Sequence, residues 1–213
     1  MKSDIPHIPA PDCQLCPRLA AFRADNRQKF PDKFNAPVPS FGSIDAELLI
    51  VGLAPGLKGA NFSGRPFTGD FAGELLYGTL IKYGLANGEF KARPDDGLEL
   101  VNCRITNAVR CVPPENKPIG AEINTCLQFL ENQIAAMPNL KVIVSLGLVS
   151  HNAVLKAHGA KLSHFKFAHK AAHDLPSGVT LIDSYHCSKY NTSTKRLTEP
   201  MFHEVFEFAK SKL

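Results

Sequence analysis

Residues 46–84 read AELLIVGLAPGLKGANFSGRPFTGDFAGELLYGTLIKYG, and the order of textures in that stretch decides the fold. AELLIV is a short apolar run of strand length. A loop with five glycines and two prolines follows, ending on Asp70. The next segment, AGELLYGTLIKYG, reads as a helix. Ordinary strand-to-helix loops run about two to six residues, so this one is long enough to hold something. The same alternation continues downstream. RITNAV (104–109), KVIVSLG (141–147) and VTLIDSY (179–185) read as further strands, and AEINTCLQFLENQIAAM (121–137) and LVSHNAVLKAHGA (148–160) as helices. Strands alternating with helices imply right-handed crossovers. The expected fold is therefore α/β, a three-layer α/β/α sandwich around a central, mostly parallel four-stranded sheet.

The chain has 213 residues, 44% hydrophobic and 21% charged, an ordinary globular composition and enough for one sizeable domain. No linker or repeat divides it, so residues 1–213 are expected to form a single domain, with an N-terminal arm over 1–40 that carries a helix near PRLAAFRADNRQKF (17–30). No apolar run reaches the roughly 18 residues of a membrane span, and MKSDIPHIPAPD lacks the apolar core of a signal peptide. A cytoplasmic protein is expected. The terminal Ser211-Lys212-Leu213 matches a peroxisomal address by pattern, which three residues are too few to decide. The net charge of +4 permits a polyanionic partner without demanding one.

Ligands of parallel sheets bind beyond the carboxyl ends of the strands, and three polar segments leave from such ends: the glycine-rich loop, the segment around Asn107, and SYHCSKYN, which contains His186. They are expected to converge on one cleft. Gly52, Gly56 and Gly59 would allow close backbone approach, either to a ligand or to the loop's own neighbours. GLAPGLKG matches neither GxGxxG nor GxxxxGK[ST], so no nucleotide cofactor is expected. Phe67 either packs inside the loop or offers a flat face for a base. Asp70 stands where a helix N-cap belongs, and equally where a carboxylate would orient water. Asn107 offers a donor and an acceptor suited to one edge of a base, or caps a turn.

Six cysteines in a chain without a secretory leader argue against a disulfide framework. Cys13 and Cys16 form a CxxC, and with Cys111 and Cys126 they supply four thiolates, enough for zinc or for an iron–sulfur cluster; spacing does not choose between them. Cys103 and Cys187 stand apart. His164, His169 and His173 read as a solvated basic loop rather than a second metal site.

Three ordered motifs, GLAPGLKGANFSGRPFTGD (52–70), ITNAVRCVPPENKPIGAEINTC (105–126) and SYHCSKYNTSTKRLT (184–198), together resemble the uracil-DNA glycosylase superfamily, most closely family 5, the type B iron–sulfur enzymes. The resemblance runs from Cys13 to about Thr198. It implies a monofunctional DNA-repair glycosylase that flips deaminated bases (uracil, with hypoxanthine and xanthine besides) out of double-stranded DNA and hydrolyses the N-glycosidic bond. Gly52, Ala54, Pro55 and Gly56 would wall the base pocket, Phe67 would stack on the base, and Asn107 would bond its edge. Asp70, His186 and Asn107 would carry the chemistry. Lys58, Arg65, Ser188, Lys189, Asn191, Lys195 and Arg196 would meet the DNA, with residues 187–196 probing it from the minor groove. Cys13, Cys16, Cys111 and Cys126 would hold a structural 4Fe-4S cluster that fastens the arm. A monomer suffices for such work.

Two positions depart from the superfamily's commonest pattern. Other families place an acid or amide just after the leading glycine, where this chain has Leu53 and Ala54; family 5 shares the alanine, which leaves Asp70 as the acid. The family more often has glycine at the position of Lys195. Two rival readings keep part of the pattern: a family 4-like enzyme restricted to uracil, and a non-catalytic iron–sulfur module that binds nucleic-acid lesions.

Overall fold

The computed structural model describes residues 8–213; the first seven, on which the absence of a leader was partly read, lie outside them. Helix α1 (Pro17–Lys29) belongs to the arm. The body then runs β1 (Leu48–Gly52), α2 (Ala60–Ser63), α3 (Phe71–Lys82), a small ribbon of β2 (Ala86–Asn87) and β3 (Glu99–Leu100), β4 (Cys103–Asn107), α4 (Gly120–Ala135), β5 (Val142–Leu146), α5 (Leu148–Ala157), β6 (Ala172–Asp174), β7 (Thr180–Ser184), α6 (Lys189–Ser193) and α7 (Glu199–Lys210).

The central sheet has the order β4-β1-β5-β7-β6. Its first four strands are parallel, as the alternation requires, and they are the four read from sequence. A fifth strand corrects the expected count: β6 pairs antiparallel with β7 at the edge. It is three residues long, with Ala172 and Asp174 exposed, so it carries none of the apolar signal that marks the other four.

Successive side chains of a strand face opposite ways, and here both faces are buried. Leu48 and Ile50 join Leu76, Leu80, Phe202 and Phe206 in the layer beneath α3 and α7. Leu49 and Val51 join Leu130, Val154 and Leu155 beneath α4 and α5. These two cores make the three layers. Helix α7 is an addition to the sequence reading. Thr198 caps it by accepting from the Met201 N–H at 3.4 Å, and Phe202, Val205, Phe206 and Ala209 form its buried stripe.

The arm is clasped onto the body by polar contacts. Both oxygens of the buried Glu122, at the start of α4, accept from Arg18 at 2.7 and 2.8 Å, and Glu122 also receives the Ile119 N–H at 2.9 Å. Further on, the Val38 N–H donates to the Arg110 carbonyl at 2.8 Å, and Phe41 bridges Ile105. Among the described residues no helix is long and apolar enough to cross a membrane.

Candidate active site

The loops that leave β1, β4 and β7 meet at the carboxyl end of the sheet. Gly52 and Asn107 are register partners there, the last pair of the β1–β4 ladder. Backbone bonding continues past the ladder, from Ala108 N–H to the Gly52 carbonyl at 2.9 Å and from Val109 N–H to that of Leu53 at 3.0 Å. The two loops therefore start locked together. A β-carbon on Gly52 would collide with Oδ1 of Asn107 and stand 2.6 Å from Cζ of Phe67. Only glycine leaves room for the amide and the ring to close over the strand end.

Two further glycines of the loop, Gly56 and Gly59, make room for the carboxylate of Asp70. Asp70 caps α3, its Oδ1 accepting from the Gly73 N–H at 3.2 Å. A β-carbon on Gly59 would lie 2.6 Å from its Oδ2, and one on Gly56 at 3.4 Å. The loop thus folds under Asp70 closely enough to bury much of it. Burial raises the carboxyl above its ordinary value, opposed by the N–H groups of Gly73 and Ala72, which favour the ionised form. Asp70 is thus the N-cap foreseen as one alternative, and its carboxylate also lines the pocket described below.

His186 follows β7. Its ring faces Phe67 with centroids 6.1 Å apart and planes 30° from parallel. Nδ1 is buried with no hydrogen-bond partner, and burial pushes the imidazole down to about 4, so it is neutral at pH 7. Its carbonyl accepts from Asn191 Nδ2 at 2.8 Å, which fixes the backbone at this position.

Ala54, Pro55, Gly56, Phe67, Asp70, Asn107 and His186 line one pocket, with about 260 Å³ of empty space including its open mouth. Every residue expected at the pocket wall is present, with Gly52 beneath it. Ala60 and Ala72 line it as well; small apolar residues give no sequence signal. The pocket opens on a wider groove, shared with Leu53, Phe71, Asn116, Ser188 and Lys189.

The residues expected to meet DNA divide into three sorts. Lys58, Lys189, Lys195 and Arg196 are exposed; the Arg196 guanidinium lies 4.8 Å from the Tyr185 ring centre. Ser188 caps α6, accepting from the Asn191 N–H at 3.4 Å, so Ser188 and Asn191 shape the loop that carries the lysines. Arg65 departs from the expectation. It is 5% exposed, with its guanidinium turned inward onto Asp96 at 2.7 Å, and is not presented to a phosphate.

Four cysteines gather under the arm. Cys13 and Cys16 precede α1, Cys111 follows β4, and Cys126 lies on α4. All four line one cavity together with Leu19, Arg23, Val109 and Phe129. The Arg110 N–H donates to Cys126 Sγ at 3.4 Å, and Arg23 Nη1 to Cys111 Sγ at 3.6 Å. Burial pushes the Cys111 thiol up to about 11 and Cys126 to about 12, so ionising them calls for a strong cation. Cys103 and Cys187 are fully buried outside this set.

The histidine-rich segment is only in part the solvated loop expected of it: His164 is exposed, but His169 stacks on Tyr185 at 5.0 Å and His173 sits in β6. Asp183 accepts from Ser145 Oγ at 2.7 Å and faces His151 Nδ1 at 2.8 Å and His173 Nε2 at 3.2 Å. Antiparallel pairing of β6 with β7 sets His173 opposite Leu181, and α5 brings His151 to the same carboxylate.

With this geometry established, comparison with known proteins gives a consistent answer. The family described as "Uracil DNA glycosylase superfamily" matches residues 39–210. The chain is 42% identical over 203 residues to the type-5 uracil-DNA glycosylase of Thermus thermophilus, covering 93% of this chain and 92% of that one. It is 36% identical over 202 residues to the type-5 enzyme of Pyrobaculum aerophilum, covering 93% and 88%. Among solved structures, wild-type Pedobacter heparinus SMUG2 superposes over 78% of this chain and 77% of that one, at 13% identity and a TM-score of 0.48.

Proposed function

Because the chain belongs to the uracil DNA glycosylase superfamily, and within it to the type-5 uracil-DNA glycosylases, we propose that the pocket between β1, β4 and β7 is where it excises bases from DNA. It is a DNA N-glycosylase, and uracil in DNA is its substrate. Hypoxanthine and xanthine are proposed as further substrates, in keeping with a first-motif wall of Ala54, Pro55 and Gly56 that offers no polar side chain to the base.

The observation that carries this reading is the convergence of Phe67, Asn107, Asp70 and His186 on one pocket over Gly52. Phe67 is the face on which the extruded base stacks, and Asn107 bonds its edge. Breaking the N-glycosidic bond leaves the electron pair on the base and oxocarbenium-like charge on the deoxyribose. Asp70, in its ionised form, stabilises that cation and holds water for attack at the same carbon. His186 is neutral, so it helps the departing base by donating an N–H rather than by lending a full charge. Leu53 and Ala54 polarise nothing, which leaves the carboxylate work to Asp70.

Extrusion costs a few kcal/mol, less for a mispaired deaminated base, and this difference favours lesions before any contact with the base forms. Lys58, Lys189, Lys195 and Arg196 hold phosphates of double-stranded DNA, so binding weakens as salt rises. The chain is proposed to act as a cytoplasmic, nucleoid-associated monomer.

A 4Fe-4S cluster fits the four cysteines. Four thiolates on one zinc, with bonds of about 2.3 Å, stand within about 4 Å of one another. Among the described residues, the one group of three or more ligand atoms all within 4.8 Å is His151, His173 and Asp183, so the cysteine sulfurs bound a wider space. The N–H donors aimed at Cys126 and Cys111 suit cluster sulfurs. Cys13, Cys16, Cys111 and Cys126 would hold the group, and its contribution is a cross-link between arm and body, with no part in bond cleavage.

Single-turnover excision on duplexes carrying hypoxanthine tests the proposed breadth. Cleavage of uracil with none of hypoxanthine would limit the enzyme to uracil.

A further inference from the structure

Arg65 lies two residues ahead of Phe67, and its surroundings form a closed clamp. Nη1 and Nη2 donate to the two oxygens of Asp96, each at 2.7 Å, and Nε donates to Thr68 Oγ1 at 2.7 Å. The rings of Phe41, Tyr77 and Phe90 stand around the guanidinium at 5.2, 5.3 and 5.7 Å. Asp96 is itself held by the N–H groups of Lys91 and Leu98, each at 3.1 Å. Bidentate pairing of this kind fixes direction as well as distance, and aromatic faces suit a guanidinium stripped of water.

The backbone so held is under strain. Phe67 has φ of +53°, the left-handed region that bulky residues avoid and that persists only where neighbours over-determine it. Tyr77 Oη donates to the Pro66 carbonyl at 2.7 Å, and Ser63 Oγ to the Thr68 carbonyl at 2.9 Å. On the far side, α3 presses so close that a β-carbon on Gly73 would collide with the Phe67 carbonyl. Residues 65 to 68 are thus pinned at both ends, with the Phe67 ring as the part that reaches the pocket.

We propose that the Arg65–Asp96 pair is a positioning device for the aromatic platform: Arg65 acts on excision through Phe67, by holding its ring at the height and angle that meet the base, and does not contact DNA. The inference rests on the reading of Phe67 as the stacking face.

The test is a double-mutant cycle. Single-turnover excision of uracil from a duplex is measured for Arg65→Lys, Asp96→Asn, Phe67→Leu and each clamp variant combined with Phe67→Leu. Melting temperatures and the salt dependence of binding to an abasic-site duplex are recorded for all. Arg65→Lys keeps the charge but loses the fork, and Asp96→Asn keeps the shape should the lysine variant fail to fold. Each clamp variant is expected to slow excision about 10- to 100-fold, with affinity for the abasic duplex and its salt slope unchanged. Combined with Phe67→Leu, neither is expected to slow the reaction beyond Phe67→Leu alone. Clamp and platform effects that multiply, or a reduced salt slope, would overturn the proposal while leaving the platform standing. Wild-type excision by Phe67→Leu would instead overturn the platform reading, and the clamp's purpose with it.

Discussion

Gly52 and Asn107 end adjacent parallel strands as register partners, and the amide oxygen of Asn107 occupies the space a Gly52 side chain would need. The pocket is therefore set by an omission at the strand end. Gly52→Ala is expected to displace Asn107 and Phe67 together and to slow single-turnover excision about 100-fold. Strand burial is retained, so far-ultraviolet circular dichroism should be unchanged. Excision within a few-fold of wild type would mean that the ring and amide do not set the base's position.

Asp70 caps α3, and the chemical duty proposed for it opposes that structural one. Its carboxyl is raised by burial, so its ionised form is disfavoured by folding at every pH above that raised value. Asn caps a helix about as well as Asp. Asp70→Asn is expected to melt at a higher temperature than wild type at pH 7, with the gain shrinking as pH falls through the raised carboxyl value. The same variant should lose excision by at least about 100-fold. Equal melting temperatures from pH 7 down to pH 4 would contradict this electrostatic account.

His186 reports through pH. Its folded value near 4 lies below the ordinary 6.5, so between those values the unfolded chain binds more protons. Its contribution to stability is present above about 6.5 and is lost as pH falls toward 4. His186→Gln should flatten the part of the acid destabilisation that falls in this window. For excision, a neutral His186 predicts no loss of rate between pH 8 and pH 6, measured under single-turnover conditions. A limb centred near 6.5 would show that the imidazole titrates as an exposed one.

The arm is proposed to be held by its cysteines. Cys126→Ser is expected to abolish broad visible absorption of the purified protein, lower its melting temperature and speed proteolytic cutting before Phe41. Iron content should fall with the absorption. A colourless wild type carrying one zinc would contradict the cluster assignment.

Lys195 has φ of +56°, the region where glycine is at ease, and its position is one at which glycine resembles the family pattern. Lys195→Gly exchanges that strain against backbone entropy, so stability should change by less than about 1 kcal/mol. Loss of one phosphate contact should lower the salt slope of duplex binding by about one.

Three of the parallel strands were legible as short, mainly apolar runs, and β4 (CRITN) by its β-branched residues; all four are largely buried. The pocket was legible for a different reason: glycine, proline and a capping aspartate crowd a loop too long for a connection. Strand β6 was not, since AHD has neither length nor apolar alternation. Helix α7 carries a readable stripe at Phe202, Val205, Phe206 and Ala209, which the strand-by-strand alternation did not call for. Arg65 shows where sequence logic misdirects. A basic residue in a phosphate-rich context suggests DNA, yet its partner Asp96 stands 31 positions away, and only the fold brings the two together. Ala60, Ala72 and Asn116 reach the site through chain path alone.

The most direct test of the central claim is single-turnover excision by the purified, cluster-bearing protein on matched duplexes with and without one uracil, comparing wild type with Asp70→Asn and scoring abasic sites by alkaline cleavage. The account predicts an abasic site at uracil alone, formed by wild type and at least about 100-fold more slowly by Asp70→Asn. No abasic site from wild type with its cluster intact, or equal rates from both proteins, would contradict it.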